Sequence, residues 1–459
     1  MIQLDDKMFF DKKAYSRTDK NLYSLFLSEK YLKWIRTTQT GKDILLNLDG
    51  KTSIDDIIKL IATQYELPKD LIKNDILNFV NSAYDKGVIT HCSKKLIIPS
   101  DDTSCDNLFF SITNYCNKSC LYCYEKISNE KRNSSFITLD TIKRTMEYLY
   151  PSGRCNNTRI YLTGGEPLAH ENLLVIINYL RTFDAQIGIF SNGSLLTNEL
   201  ARKLSDYNIF MFLSLDSANS DTNDYIRGKN SFAEVMHASS ILHANNIPFF
   251  FATTLSDINM CELNQLIPLA QQCHSLGLYL NEPIKTSKIG KVFSNYFSYS
   301  YQEYNEIIYD CAKKISIINS WRNKKTNTAL VLRMVRENNL CLNNIQNLKK
   351  KKNCGAGINT LSIDWSGNVY PCRTLQQTKF RMGNIADQSF NPQISTRLLE
   401  YKNCHNCDIH MFCLGGCKAE IIHFSGQLEE IYTRYCNERK KVIRKTLWAP
   451  ILLSIEDIK

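Results

Sequence analysis

The sequence lacks any uninterrupted apolar run near the ~18 residues that a membrane-spanning helix requires. Its first residues, Met1 to Lys13, carry acidic side chains and no long apolar region, unlike a secretory signal. The 17 cysteines are an odd number and lie in several dense groups, which argues against a disulfide scaffold and favours metal binding in a reducing compartment. These features predict a soluble cytoplasmic protein with no membrane partner.

The size of the chain predicts several domains. Its 459 residues exceed the ~250–300 at which a single core stops growing, so two to four domains are expected. Apolar residues make up 43% of the chain, which is ample for packed cores. The net charge of +10 is spread over lysines along the whole chain and identifies no partner by itself.

One short loop has a spacing suited to iron–sulfur chemistry. Cys116, Cys120 and Cys123 follow the pattern C-x3-C-x2-C. Three thiolates on one tight loop can bind three irons of a 4Fe–4S cluster and leave the fourth iron open to a substrate. Taken alone, the same spacing would also suit a zinc site or a buried apolar cluster.

Strand-like and helical runs alternate through residues 108–298, which predicts a parallel sheet of β/α units. Six such units would form a partial (β/α)6 barrel, with its chemistry at the carboxyl ends of the strands. The cysteine loop follows the first predicted strand. The six predicted strands are 108–112, 159–162, 186–190, 209–215, 248–255 and 278–281.

Polar and small residues follow these strands. Gly164 and Gly165 after the second strand permit close backbone approach, and Glu166 offers an acceptor for an ammonium group. After the third strand, Ser191 and Asn192 offer hydroxyl and amide groups. A Gly-Gly-Glu-Pro sequence could by itself be an ordinary turn.

The cysteine loop and the Gly164-Gly165-Glu166-Pro167 turn, one β/α unit later, resemble the radical S-adenosylmethionine (SAM) superfamily. The resemblance implies a 4Fe–4S cluster and bound SAM, with Glu166 at the SAM amino group and Arg227 at its carboxylate. It assigns SAM contacts to Tyr122, Gly164, Gly165, Glu166, Ser191, Asn192, Ser214, Arg227 and Thr253.

Seven further cysteines, besides Cys341, lie in residues 341–459, which follow a predicted helical bridge at 299–340. The middle four, taken alone, could form a zinc knuckle. All seven, downstream of a radical SAM core, resemble the SPASM extension and its two auxiliary 4Fe–4S clusters, giving three clusters in total. The resemblance assigns Cys354, Cys372 and Cys417 to the first auxiliary cluster and Cys404, Cys407, Cys413 and Cys436 to the second. Cys341 is a candidate fourth ligand of the first cluster or a plain core residue.

Residues 1–92 predict a small winged-helix-like domain, joined to the barrel by a polar linker at 93–107. Its third predicted helix mixes lysine with aspartate and has no arginine to read a guanine edge, so a nucleic-acid partner is not expected. The domain resembles the leader-peptide recognition domain of peptide maturases, in which the leader adds a strand to a sheet edge. The implied partner is a precursor peptide with a leader sequence.

The complete layout resembles the sactipeptide and ranthipeptide maturases, which form thioether crosslinks in ribosomally made peptides. The resemblance implies a 5′-deoxyadenosyl radical that removes hydrogen from a peptide carbon, which a cysteine sulfur then joins. It also implies an electron donor of the flavodoxin or ferredoxin type. Relatives that make carbon–carbon crosslinks or epimers remain alternatives. A sulfatase-maturing enzyme is less expected, because Arg373 stands where that group commonly has an acid, and a DNA-binding regulator would need no SAM motif.

Overall fold

The computed structural model describes two compact units, one formed mainly by the described residues up to His91 and the other mainly by those from Cys105 onward. The described residues are 2–20, 22–28, 30–31, 33–91, 105, 107–123, 134–155, 158–281, 331–334, 356–357, 360–376, 380–386 and isolated positions within 303–315 and 436–444. The predicted ligands Cys341, Cys354, Cys404, Cys407, Cys413 and Cys417 lie outside them, as do most of the predicted linker and bridge. None of the helices described is both long and apolar enough to cross a membrane.

The first unit contains two small antiparallel sheets and three helices. Strands β2, β3 and β4 form one sheet, and β1 pairs with β5 and β6 in the other. The three helices are those expected of the predicted winged-helix-like domain, whereas the sequence did not predict β2 and β5. In chain order the elements are β1 (Lys7–Phe9), β2 (Ser16–Lys20), β3 (Tyr23–Ser28), β4 (Lys33–Thr38), α1 (Gln39–Asn47), β5 (Asp49–Ser53), α2 (Ile54–Gln64), α3 (Lys69–Asp85) and β6 (Thr90–His91).

Helix α2 shows why the first unit folds as it does. Its N-cap, Ser53, accepts a hydrogen bond from the backbone N–H of Asp56, which satisfies one of the unpaired donors of the first turn. The side chains of one helix face are fully buried, each contributing about 1.5–3 kcal/mol relative to exposure. This face joins the core of the unit and consists of Ile54, Ile57, Ile58 and Ile61.

The second unit contains the predicted parallel sheet. Its first six strands pair as parallel neighbours in chain order, which confirms the predicted α/β barrel-type fold. The strands are β7 (Asn107–Thr113), β8 (Arg159–Gly164), β9 (Gln186–Ser191), β10 (Phe210–Ser214), β11 (Phe249–Thr254) and β12 (Gly277–Asn281). The helices among them are α4 (Leu139–Leu149), α5 (Leu173–Arg181), α6 (Asn198–Ser205), α7 (Ser220–Arg227), α8 (Ser231–Ala244) and α9 (Leu266–Gln272).

The sheet is wider than the sequence predicted. Strand β13 (Val331–Met334) adds in parallel to β12, and β14 (Thr360–Ile363) adds in parallel to β7. Strands β15 (Asn368–Tyr370) and β16 (Gly383–Asn384) then continue it in antiparallel fashion. Segments from the C-terminal third therefore complete the sheet that carries the site.

Aromatic side chains pack along one face of this sheet. Phe190 stacks on Phe212 with ring centroids 4.4 Å apart, and Tyr161 lies 5.8 Å from Phe190. Gly188 leaves room for these rings, because a Cβ there would lie 2.8 Å from a ring carbon of Phe212 and 2.9 Å from one of Tyr161. The packed rings fix strands β8 to β10 against each other and so set the positions of their carboxyl ends.

Candidate functional site

The three cysteines of the C-x3-C-x2-C loop follow β7 and form no disulfide. Cys116 is buried, whereas Cys120 and Cys123 are half-buried. Burial, reinforced by the charge of Glu166, raises the pKa of the Cys116 thiol to about 12. Burial also raises the pKa of the Cys120 thiol, opposed by the charge of Arg227. Both thiols are therefore neutral at physiological pH unless a metal replaces the proton.

The donor set fits an iron–sulfur cluster. In the described part of the chain, no three Cys, His, Asp or Glu side chains converge tightly enough to hold a single ion. A cubane cluster has a different requirement, because each thiolate binds its own iron. Three undisulfided thiols on one loop meet that requirement better than they meet the requirement of one zinc ion.

Hydrogen bonds among three polar side chains anchor the start of the cysteine loop. Asn117 Nδ2 donates to Ser194 Oγ at 2.8 Å, and Ser194 Oγ donates to Asn192 Oδ1 at 2.6 Å. Asn192 Nδ2 donates back to Asn117 Oδ1 at 2.9 Å and also points at Cys116 Sγ, 3.8 Å away. This ring of hydrogen bonds ties the cysteine loop to the segment that follows β9.

The middle of the loop is anchored to two helices. Lys118 Nζ lies 2.5 Å from Glu234 Oε2 of α8, and only 11% of the lysine side chain is exposed. The backbone N–H of Leu121 donates to the carbonyl of Ile226 in α7 at 2.9 Å. Because the lysine is shielded from water while Glu234 is 35% exposed, this pair is screened less than a fully exposed surface pair and helps to restrict the loop.

A buried ion pair supports the end of the loop. Arg227 Nε lies 2.7 Å from Asp216 Oδ2, and both side chains are almost fully buried. Tyr122 Oη donates to the same carboxylate oxygen at 2.6 Å. Burial would lower the pKa of Arg227, but the charges of Asp216, Tyr122 and Cys120, together with the hydrogen bond to Asp216, outweigh it and the pKa is raised. The structure therefore places the guanidinium of Arg227, the predicted contact of the SAM carboxylate, against Asp216.

The Gly-Gly-Glu turn packs directly on the cysteine loop. The backbone N–H groups of Gly165 and Glu166 donate to the carbonyls of Thr113 and Tyr115 at 2.7 and 2.6 Å. A Cβ at Gly165 would lie 1.9 Å from the carbonyl oxygen of Tyr115. Gly164 has a φ of 118°, which other residues adopt only with strain. The close backbone approach expected of these glycines is present.

Glu166 has a structural role that the sequence did not reveal. Its carboxylate is 1% exposed and accepts hydrogen bonds from the backbone N–H groups of Leu168 and Asn192 and from Ser191 Oγ, at 3.0, 2.8 and 2.7 Å. Burial raises its pKa, and these three donors oppose the rise. Glu166 therefore links the ends of β8 and β9, whereas a contact with the SAM amino group remains a prediction.

The remaining predicted SAM contacts lie at the same edge of the sheet. Ser214 ends β10 and is half-buried. Thr253 is buried in β11, and its Oγ1 donates to the carbonyl of Leu215 at 2.7 Å. Sequence reasoning missed the anchoring roles of Lys118, Glu234 and Asp216. The position of Lys118 between two cysteines was the one available signal.

Part of the predicted SPASM region also meets this sheet. Cys372 is half-buried and lies 3.2 Å from Thr374 Oγ1. The next residue, Arg373, places its guanidinium 5.2 Å from the ring centre of Phe190 and donates to Asn281 Oδ1 at 3.2 Å. Cys436, assigned to the second auxiliary cluster, is half-buried in the described helical positions near residue 440.

Three family models match the chain in sequence. The coenzyme PQQ synthesis protein D (PqqD) model matches residues 26–89, the radical SAM superfamily model matches 110–270, and the SPASM iron–sulfur cluster-binding model matches 354–408. The chain therefore carries, in this order, a PqqD-type domain, a radical SAM domain and a SPASM domain.

Several known proteins resemble the chain at low identity. The antilisterial bacteriocin subtilosin biosynthesis protein AlbA of Bacillus subtilis is 24% identical over 399 residues, which is 80% of this chain and 78% of AlbA. The structure of anSMEcpe with bound AdoMet superimposes with a TM-score of 0.57 at 18% identity, covering 74% of this chain and 93% of that one. Streptococcus suis SuiB bound to precursor peptide SuiA gives 0.54 at 12% identity, covering 91% and 97%. At these identities the two structures establish the fold alone.

Proposed function

We propose that this chain is a maturase of a ribosomally made precursor peptide and installs intramolecular thioether crosslinks from cysteine sulfur to carbon. The observation that carries the proposal is the anchored cysteine loop. Side chains and backbone groups from β8, the segment after β9, the segment after β10 and two helices hold it beside the Gly164-Gly165-Glu166 turn. Such pre-organisation suits a cluster whose open iron must face a bound cofactor.

The peptide substrate is supported by the first unit and by the relatives. The match to the PqqD model lies over β3 to α3, an antiparallel sheet followed by helices, which can accept an added peptide strand at a sheet edge. AlbA is named for bacteriocin biosynthesis, and SuiB is described with its precursor peptide. Leader recognition by residues 1–92 is the role that we propose for this unit.

Bound SAM and a reduced cluster would supply a 5′-deoxyadenosyl radical, which takes a hydrogen atom from an unactivated carbon of the peptide. The chain's own residues would bind and orient the cluster and SAM. Cys116, Cys120 and Cys123 would hold the cluster, and the strand-end residues from Glu166 to Thr253 would surround SAM. The aromatic face beneath them keeps the strand ends rigid and apolar.

The full cofactor set is proposed as SAM and three 4Fe–4S clusters. Cys354, Cys372 and Cys417 would hold the first auxiliary cluster, with Cys341 either completing it or leaving an iron open to a cysteine sulfur of the substrate. Cys404, Cys407, Cys413 and Cys436 would hold the second. A cytoplasmic flavodoxin or ferredoxin would donate electrons. About twelve irons per chain are expected from three such clusters.

The decisive experiment uses the anaerobically reconstituted protein, SAM, a reductant and a short cysteine-containing peptide encoded beside the gene. A thioether bridge removes two hydrogens per crosslink and consumes one alkylatable thiol, both of which mass spectrometry measures after iodoacetamide treatment. A loss of two hydrogens with every thiol still alkylatable would contradict the thioether and leave a carbon–carbon crosslink as the alternative to be tested by tandem mass spectrometry. Failure to release 5′-deoxyadenosine with any peptide would contradict radical SAM chemistry itself.

A further inference from the structure

The side-chain amide of Asn192 has a fixed orientation toward the cysteine loop. Its Oδ1 accepts from both the backbone N–H and the Oγ–H of Ser194, at 3.0 and 2.6 Å. Its Nδ2 donates to Asn117 Oδ1 and lies 3.8 Å from Cys116 Sγ. A flipped amide would set its NH2 against the N–H of Ser194 and its oxygen against Asn117 Oδ1. The network therefore permits one orientation, with the N–H groups facing the sulfur.

The neighbours of Asn192 make this orientation rigid. Ser194 Oγ also receives a hydrogen bond from Asn117 Nδ2, so the three side chains close a ring. The backbone N–H of Asn192 is held by Glu166 Oε2 at 2.8 Å. An amide restrained on both sides donates at little entropic cost, because its rotamer is already fixed.

Hydrogen bonds to ligand sulfurs are among the factors that set the potential of an iron–sulfur cluster. When one electron enters, negative charge increases on the cluster and its thiolates. A donor aimed at a thiolate stabilises that added charge, and no proton needs to move. The thiol of Cys116 is buried, where such a dipole acts with little solvent screening.

We propose that Asn192 is a positioning and tuning residue that donates an N–H···S hydrogen bond to Cys116 and raises the reduction potential of the cluster held by this loop. This proposal rests on the proposed function only in requiring that a cluster binds there. It differs from the role expected from the sequence, in which Asn192 contacts the ribose or carboxylate of SAM. The two roles differ in what a substitution changes. Loss of a tuning residue changes the reduction potential of the cluster, whereas loss of a SAM contact changes the KM for SAM.

The test measures the midpoint potential of this cluster by EPR-monitored titration with dithionite and mediators, without SAM. The relevant signal is the component whose shape changes when SAM is added to a parallel sample. In Asn192→Leu, which has the same branched shape but no donor, we expect the reduced-to-oxidised ratio at a fixed potential to fall about tenfold, equivalent to 59 mV for one electron. Asn192→Asp should shift further in the same direction because it adds negative charge.

Two further variants complete the design. Asn198→Asp makes the same change of charge six positions along, at an exposed residue without contact to the sulfur, and should leave the potential unchanged. Ser194→Ala keeps the amide and the backbone N–H bond to its Oδ1, but it removes the bond from Ser194 Oγ and opens the ring, so it should give a smaller shift in the same direction. If Asn192→Leu does not hold iron, the potential of Ser194→Ala tests the tuning role of Asn192 in its place.

The outcomes separate the inference from the proposed function. A reduced-to-oxidised ratio within a factor of two of wild type in Asn192→Leu at full iron content, or in Ser194→Ala if Asn192→Leu does not hold iron, would overturn the tuning role. A raised KM for SAM with an unchanged potential would assign Asn192 to SAM binding and also overturn it. A wild-type protein without any SAM-responsive cluster signal would instead contradict the proposed function.

Discussion

The two units of this protein bury different kinds of side chain. Among the described residues of the first unit, the buried polar groups are uncharged serines and threonines. In the second unit, the carboxyl ends of the strands bury charged groups that include Glu166, Asp216 and Arg227. The first unit thus has the interior of an ordinary folded domain. The second buries ionisable groups at the one edge where a cofactor loop must be held in place, although buried ion pairs are weak sources of stability.

The largest expected effect comes from removing a cluster ligand. Cys116→Ala should lose the iron of this site and release no 5′-deoxyadenosine above background, because two thiolates hold a cubane cluster poorly. Iron quantification and chromatography of the nucleoside measure both. The matched control is Cys261→Ala, at an exposed cysteine outside the loop, which should keep wild-type values. Full iron and turnover in Cys116→Ala would contradict the site assignment.

Asp216→Ala should destabilise the second unit by about 3–5 kcal/mol, because Arg227 would remain buried without its counter-charge. The same change removes the acceptor of Tyr122, so iron loading should fall with stability. Thermal unfolding followed together with iron retention measures both effects. Asp221→Ala, at an exposed carboxylate of α7, is the control and should behave like wild type. An unchanged unfolding temperature in Asp216→Ala would show that the ion pair does not anchor the loop.

A cavity created by mutation in the core of the first unit should lower the free energy of unfolding without changing iron content or SAM cleavage. Ile57 is fully buried, so Ile57→Ala should cost about 2–5 kcal/mol. Because this core belongs to the other unit, iron content and 5′-deoxyadenosine release without peptide should remain at wild-type levels. Leu60→Ala on the same helix, at a side chain that is 42% exposed, should change stability by less than about 0.5 kcal/mol. Loss of iron in Ile57→Ala would contradict the contrast between the units.

The smallest expected effect concerns Asp49, which accepts backbone hydrogen bonds from Lys51 and Thr52, both at 2.8 Å. These bonds, from Thr52 first, lower the pKa of the carboxyl below its usual 3.8. A lowered pKa means that the stabilisation is present above pH 3.8 and is lost as the pH falls through the lower folded value. Asp49→Ala should therefore cost less than about 1 kcal/mol at pH 7, since the group is exposed, and nothing at strongly acidic pH. Denaturant unfolding at both pH values tests this.

The sequence predicted the six central strands because each is an apolar run buried in a parallel sheet. It did not predict β2, whose five residues are all exposed and show no apolar alternation. Strands β13 and β14 were also missed, since they are short and gain their pairing from distant segments. Local pattern carries no information about such partners.

In the candidate site, too, the sequence predicted the local features and missed those that depend on contacts between distant segments. The spacing of Cys116, Cys120 and Cys123 and the Gly-Gly-Glu turn are local signals that sequence reasoning recognises. The ion pair of Asp216 with Arg227 joins residues at the end of a strand and the end of a helix. Two contacts depend on how the segments after β9 and β10 fold back onto the cysteine loop. They are the contact of Arg227 with a carboxylate of the chain and the contact of Asn192 with a sulfur.

The pairing of β7 with β14 has a consequence for how the protein is made. Asn107 Nδ2 of β7 donates to Thr360 Oγ1 of β14 across 253 residues of chain. At the usual 5–20 residues per second, the ribosome takes roughly 10–50 s to synthesise that interval. The strand that leads into the cysteine loop thus keeps one edge unpaired throughout this time. Iron delivery to the loop during translation would meet an incomplete sheet, so we expect cluster insertion to follow release of the chain.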